Sequence, residues 1–145
     1  MMDLDECIRL GLVRKVPPSP LESQEQFKKA ESLLSEAKAA FNADAPHAAV
    51  LAGYAAALDA ARALMFRDGF REKSHACVVR FLEARYEKEI GTAMIDLMDE
   101  YRDKRHKVQY SASYYATRHD AQAVLTFADA LLNKIHRLIV PSDLR

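Results

Sequence analysis

Tyr101-Arg102-Asp103-Lys104-Arg105-His106-Lys107-Val108-Gln109-Tyr110 concentrates more possible chemistry than any other stretch of this chain. Arg102, His106 and Tyr110 are spaced i, i+4 and i+8, which stacks them along one face of an α-helix. Arg105 flanks that stripe. Together they offer a titratable imidazole, two permanent cations and a phenol to one small volume. Histidine moves protons near neutral pH. Arginine supplies forked, permanently charged donors for phosphate oxygens. The combination suits metal-independent cleavage of RNA, in which the ribose 2′-OH attacks the adjacent phosphodiester and negative charge builds up on the phosphorus oxygens. One histidine is an incomplete acid–base pair, so a two-fold dimer bringing two such helices together becomes part of this reading. The alternative is a solvated helix terminus, where cations are favoured in any case.

Charge balance sharpens the choice. The 145 residues carry 21 Lys+Arg and 21 Asp+Glu, a formal net charge of zero. Bulk electrostatics therefore give no strong attraction to nucleic acid or membrane. Any phosphate binding must come from a local cluster, and Arg102, Lys104, Arg105 and Lys107 against Asp103 supply one. Half of the residues are hydrophobic, which excludes a disordered chain. The length fits one domain over residues 1–145, able to bury about 70% of its unfolded surface.

Cys7 and Cys77 form no CxxC and read as reduced thiols. The acidic start Met1-Met2-Asp3-Leu4-Asp5-Glu6 is no signal peptide, and no stretch suggests a membrane span. A cytoplasmic protein is the expectation. No His/Cys/Asp/Glu spacing suggests a metal site, no P-loop or GxGxxG is present, and no cofactor is expected.

Helical periodicity runs through almost every segment that must position the stripe. A short helix spans Asp3 to Val13 and ends before Val16-Pro17-Pro18-Ser19-Pro20. A long one covers Leu21 to Phe41, with Phe27, Ala30, Leu33, Leu34, Ala37 and Phe41 inward. After a turn in which Asp44 is a candidate N-cap, an alanine-rich helix runs from Pro46 to about Arg67. It should be the central, most buried one, ended by Gly69 as a left-handed cap; Asp59 and Arg62 within it should pair or face an edge. Ser74 should cap the next helix, to about Lys88. Gly91-Thr92 opens the helix of the Arg102–Tyr110 stripe, with Ile95, Met98 and Tyr101 inward. Thr117 and Asp120 resemble a capping box for the last helix, which Pro141 closes. No strand pattern is visible. The expected fold is all-α: an antiparallel up-and-down bundle of four to five main helices. Of the other histidines, His75 suits a helix start or an interface, His47 an exposed helix start, His119 a first turn and His136 a helix edge. Tyr54 suits the core.

The order and spacing of several short segments resemble a small stand-alone prokaryotic HEPN-domain protein. These are Cys7-Ile8-Arg9-Leu10-Gly11-Leu12-Val13 with Val16-Pro17-Pro18-Ser19; Lys29-Ala30-Glu31; Gly53-Tyr54-Ala55-Ala56-Ala57 to Ala60-Ala61-Arg62-Ala63-Leu64; Asp68-Gly69-Phe70-Arg71-Glu72-Lys73-Ser74-His75; Phe81-Leu82; and Tyr101-Arg102, Arg105-His106 and Val108-Gln109-Tyr110. The resemblance implies a helical bundle that is usually dimeric. It makes Arg102 and His106 the candidate catalytic pair of an endoribonuclease site shared across the dimer. Arg105, Lys104 and Tyr110 are then candidate binding residues, Tyr110 also a candidate for nucleotidylation. The family's nucleases often act as toxins beside a minimal nucleotidyltransferase, which is the implied protein partner next to an RNA substrate or a nucleotide. Nuclease members usually place four to six residues between Arg and His; here three intervene. The resemblance therefore also allows a non-catalytic module that binds a nucleotidyltransferase partner or a nucleotide.

Overall fold

The computed structural model describes residues 2–140. Six helices and two three-residue strands follow in the order α1 (Leu4–Arg9), β1 (Val13–Lys15), α2 (Pro20–Asn42), α3 (Pro46–Asp68), β2 (Phe70–Glu72), α4 (His75–Ile90), α5 (Thr92–Tyr110) and α6 (Arg118–Ile139). The five longer helices form the all-α bundle that the periodicity implies.

α3 occupies the middle and packs against α2, α4, α5 and α6. Its Ala49, Ala56, Ala57, Ala60, Ala61 and Ala63 are fully buried. Small side chains allow this because the surrounding helices can close on several sides of one axis. The closest approach is at Gly53, where an added Cβ would lie 2.9 Å from Val124 Cγ1 on α6. By length and composition α3 could cross a membrane, which departs from the sequence expectation that no stretch does; yet 78% of its most apolar window is buried inside the bundle. Asp59 and Arg62 pair, as anticipated, and Arg62 also holds Glu72 at 3.2 Å.

Several boundaries differ from the sequence reading for identifiable reasons. Gly11 takes a positive φ of 73°, which stops the first helix early and frees Val13–Lys15 to pair antiparallel with Phe70–Glu72. Three residues are too few to display a strand's alternation, so neither strand was visible. Ser19 caps α2 through the Glu22 N–H at 3.1 Å, with Pro20 in the first turn. Asp44 does not cap α3; Ala45 holds that position, and Asp44 has a φ of 60° and faces Arg118 at 3.5 Å. Gly69 is the expected left-handed cap, and an added Cβ there would meet the Val16 carbonyl at 2.7 Å. The Thr117–Asp120 capping box is present. Pro141 lies outside the described residues.

The cysteines correct the reduced-thiol expectation. Cys7 and Cys77 are fully buried and joined as a disulfide across 70 residues of sequence. It ties α1 to the first turn of α4, a juxtaposition that linear spacing cannot show. The pairing also removes the thiol state as a ground for a cytoplasmic location, since disulfides persist mainly in oxidising compartments.

Two measurements test this packing. Gly53→Ala should lower unfolding free energy by about 1 kcal/mol, because forcing Val124 aside outweighs the better helix propensity of alanine. In a Val124→Ala background the same change should instead stabilise by about 0.5–1 kcal/mol, read from urea midpoints. Thiol titration of the denatured, unreduced chain should find no free thiol. Cys7→Ala/Cys77→Ala should cost on the order of 4 kcal/mol from lost loop closure.

Candidate functional site

α5 carries every residue of the sequence-derived site, and the bundle sends them to different neighbours. Ile95, Met98, Tyr101 and Val108 are buried and set the rotation of the helix; Tyr101 packs on Phe127 of α6 with ring centroids 5.1 Å apart. With that face inward, three cations of the motif leave in three directions.

Arg102 turns toward α4. Its Nε and Nη2 donate to Asp99 Oδ1 at 3.1 and 3.0 Å. With Asp99, Arg80, Ala76 and Met2 it lines a cleft of about 160 Å³. Lys104 turns toward α6, where its Nζ donates to Asp120 Oδ1 at 2.7 Å. Burial pushes the Asp120 carboxyl up, but Lys104 and the N–H and hydroxyl of Thr117 prevail and hold it at about 2. Lys104 is thus part of the joint between α5 and the α6 cap. Arg105 turns toward α3, its Cζ 5.8 Å from the centroid of the Tyr54 ring. Among the described residues it has no carboxylate partner.

His106 and Tyr110 stay together on the solvent side. Both are exposed, and their rings stack in a tilted arrangement with centroids 4.8 Å apart. The i, i+4 spacing thus yields a contact between imidazole and phenol. Beyond the helix end, Tyr115 meets His47 edge-on at 5.5 Å, and the Ala116 N–H reaches His47 Nε2 at 3.4 Å. Aromatic rings therefore continue past the end of α5.

Two residues join the site that sequence reasoning placed elsewhere. Tyr54 is in the core, as expected, at 1% exposure, but its hydroxyl has no hydrogen-bond partner. Burial pushes that phenol up to about 12, against the opposing pull of Arg102 and Arg105. His75 opens α4, and its ring centroid lies 6.2 Å from that of Tyr54. Burial lowers the His75 pKa, followed in effect by the positive charge of Arg105; Glu72 opposes, and Arg62 and Arg102 add to the lowering. Both residues are visible in the sequence. Nothing there relates positions 54 and 75 to position 105, because only the packing of α3 and α4 on α5 does so. Among the described residues, no His/Cys/Asp/Glu group could hold a metal ion.

The His75 shift carries a sign. A His75 pKa lowered in the folded chain means the unfolded state takes up the extra proton in acid. Stability contributed by this residue is present above pH ~6.5 and is lost as pH falls from there toward the folded value. Urea midpoints measured from pH 7.5 to 5.5 should fall for the wild type, and less for His75→Gln.

No curated protein matches the chain. The family model of the HEPN domain matches residues 23–138, from the first turns of α2 almost to the end of α6. With four-fifths of its length covered by that match and with the helical bundle observed, this chain belongs to the HEPN-domain family.

Proposed function

We propose that this HEPN protein is a metal-independent endoribonuclease of a toxin–antitoxin or stress-defence module, acting as a homodimer with Arg102 and His106 as its catalytic pair. The observation that supports this best is the exposed His106, stacked on Tyr110 one helical turn beyond Arg102 on α5. An exposed imidazole can meet a substrate and a second subunit at once.

In this reaction the ribose 2′-OH gives its proton to one imidazole while its oxygen attacks the adjacent phosphorus. The bond from phosphorus to the 5′ oxygen breaks, and that oxygen takes a proton from an imidazolium. The products are a 2′,3′-cyclic phosphate and a 5′-hydroxyl. His106 of each subunit supplies one of the two proton-transfer roles. Arg102 stabilises the charge building on the non-bridging oxygens, exchanging its bonds to Asp99 for bonds to phosphate. Arg105 and Lys107 add positive potential nearby, and Tyr110 provides a ring on which an unpaired base can stack.

A second reading rests on the engagement of Arg102 and Lys104. Both are paired with carboxylates, on Asp99 and Asp120, which suits a non-catalytic module that binds a minimal nucleotidyltransferase or a nucleotide, with exposed Tyr110 open to modification. Single-stranded RNA incubated with the protein in EDTA separates the two. The nuclease should cut it and leave cyclic-phosphate ends. His106→Ala and Arg102→Ala should each slow cutting at least a hundredfold while light scattering still shows the dimer. Intact RNA and a co-purifying nucleotidyltransferase would favour the module, and full activity in both variants would refute the assigned pair.

A further inference from the structure

Residues 2–11 precede the region that the HEPN-domain model matches, residues 23–138, and are fastened to the bundle at few points. The polar bonds of α1 stay within the segment: Asp3 accepts from the Glu6 N–H at 2.9 Å, and Glu6 pairs with Arg9. Among the described residues, no hydrogen bond or ion pair joins residues 2–11 to the bundle. The first backbone anchor is Leu12, whose carbonyl accepts from the Lys73 N–H at 2.8 Å. Two attachments remain. Met2, Leu4, Cys7 and Ile8 pack on the core, and Cys7 is bonded to Cys77 in the first turn of α4. At the far end of the segment, Met2 walls the cleft of about 160 Å³ that it forms with Ala76, Arg80, Asp99 and Arg102. Gly11, at a φ of 73°, lies between the anchor and the disulfide.

We propose that residues 2–11 are a strap that the Cys7–Cys77 disulfide latches across the Arg102 cleft, and that reduction by a dithiol releases it. Both sulfurs are fully buried, so attack waits on a local opening of α1. That opening exposes little apolar surface, because α1 contributes only Leu4 and Cys7 to the core. A thiolate of the dithiol then attacks one sulfur and forms a mixed disulfide. Its second thiolate displaces the protein sulfur. The protein gains two electrons and two protons and ends with two thiols, and the dithiol ends as a disulfide. Without the bond, apolar contacts alone hold the segment. It swings out about Gly11 while Leu12 stays on Lys73. Met2 leaves the cleft, and Arg102, paired with Asp99 at 3.0 Å, gains an open approach on that side. The latched chain is therefore the closed form and the reduced chain the open one. The effect on activity rests on the nuclease reading above; the movement of the strap does not.

The test compares the full chain as the disulfide with the chain reduced by dithiothreitol and desalted without oxygen. Amide hydrogen exchange should show α1 losing about tenfold in protection on reduction, with α3 and α6 unchanged. Phenylglyoxal, which labels accessible guanidinium groups, should modify Arg102 about threefold faster in the reduced chain, and Arg118 at the same rate in both. Met2→Ala removes the wall but keeps the latch, so it should speed Arg102 labelling in the oxidised chain while α1 stays protected. A bond that dithiothreitol leaves intact in the folded chain would overturn the proposal. So would equal α1 exchange in both states, loss of protection throughout the bundle on reduction, or unchanged Arg102 labelling in both the reduced chain and Met2→Ala. RNA cutting in EDTA, where present, should be about threefold faster after reduction. Equal cutting rates with Arg102 opened would refute the strap as a regulator. No cutting in either state refutes the nuclease reading instead, and exchange and labelling still decide the strap.

Discussion

The close approach of helices to α3 is the constraint on which the rest of the molecule depends. A row of alanines and Gly53 reduces the radius of the central helix, so α2, α4, α5 and α6 can all reach it. Larger side chains there would push the surrounding helices outward. Tyr54 would then lose Arg105, and α4 would no longer bring His75 beside them. The chemistry of the junction is thus a product of small residues that have no chemistry themselves. The disulfide from Cys7 to Cys77 reinforces the same arrangement from outside, holding the first turn of α4 in place two residues beyond His75.

Electrostatics divide the work along α5. Lys104 with Asp120 and Thr117 forms a joint between α5 and α6, and burial strengthens it because few waters compete for the carboxylate. Arg102 with Asp99 is half-exposed, so water already competes and an incoming anion can take over the guanidinium at small cost. Arg105 is committed only to an aromatic face. Three neighbouring cations therefore range from fixed to available, although their side chains are chemically similar. Their surroundings make the difference.

Much of the fold was legible in the sequence. Long helices announce themselves through repeated apolar spacing, and Gly69, Gly91 and the Thr117–Asp120 pair carry local capping signals that act where they stand. Short-range chemistry was legible too, as the His106–Tyr110 stack follows directly from an i, i+4 interval. What could not be read were meetings between distant positions: Val13–Lys15 with Phe70–Glu72, Cys7 with Cys77, and Tyr54 with His75 and Arg105. Each depends on how helices are rotated about their axes and stacked, and no single segment encodes that. Asp44 shows the opposite limit. A good capping residue one position too early adopts a left-handed backbone and leaves the cap to Ala45.

The rotation of α5 has a consequence for its three-residue gap between Arg102 and His106. One residue inserted in that gap would turn everything after it by about 100°. Val108 would swing out of the core, and whichever of Lys104 and Arg105 followed the insertion would lose Asp120 or the Tyr54 ring. In this chain the short interval is therefore coupled to the packing of the whole helix: its length sets which side of α5 the residues beyond it present to α3 and α6.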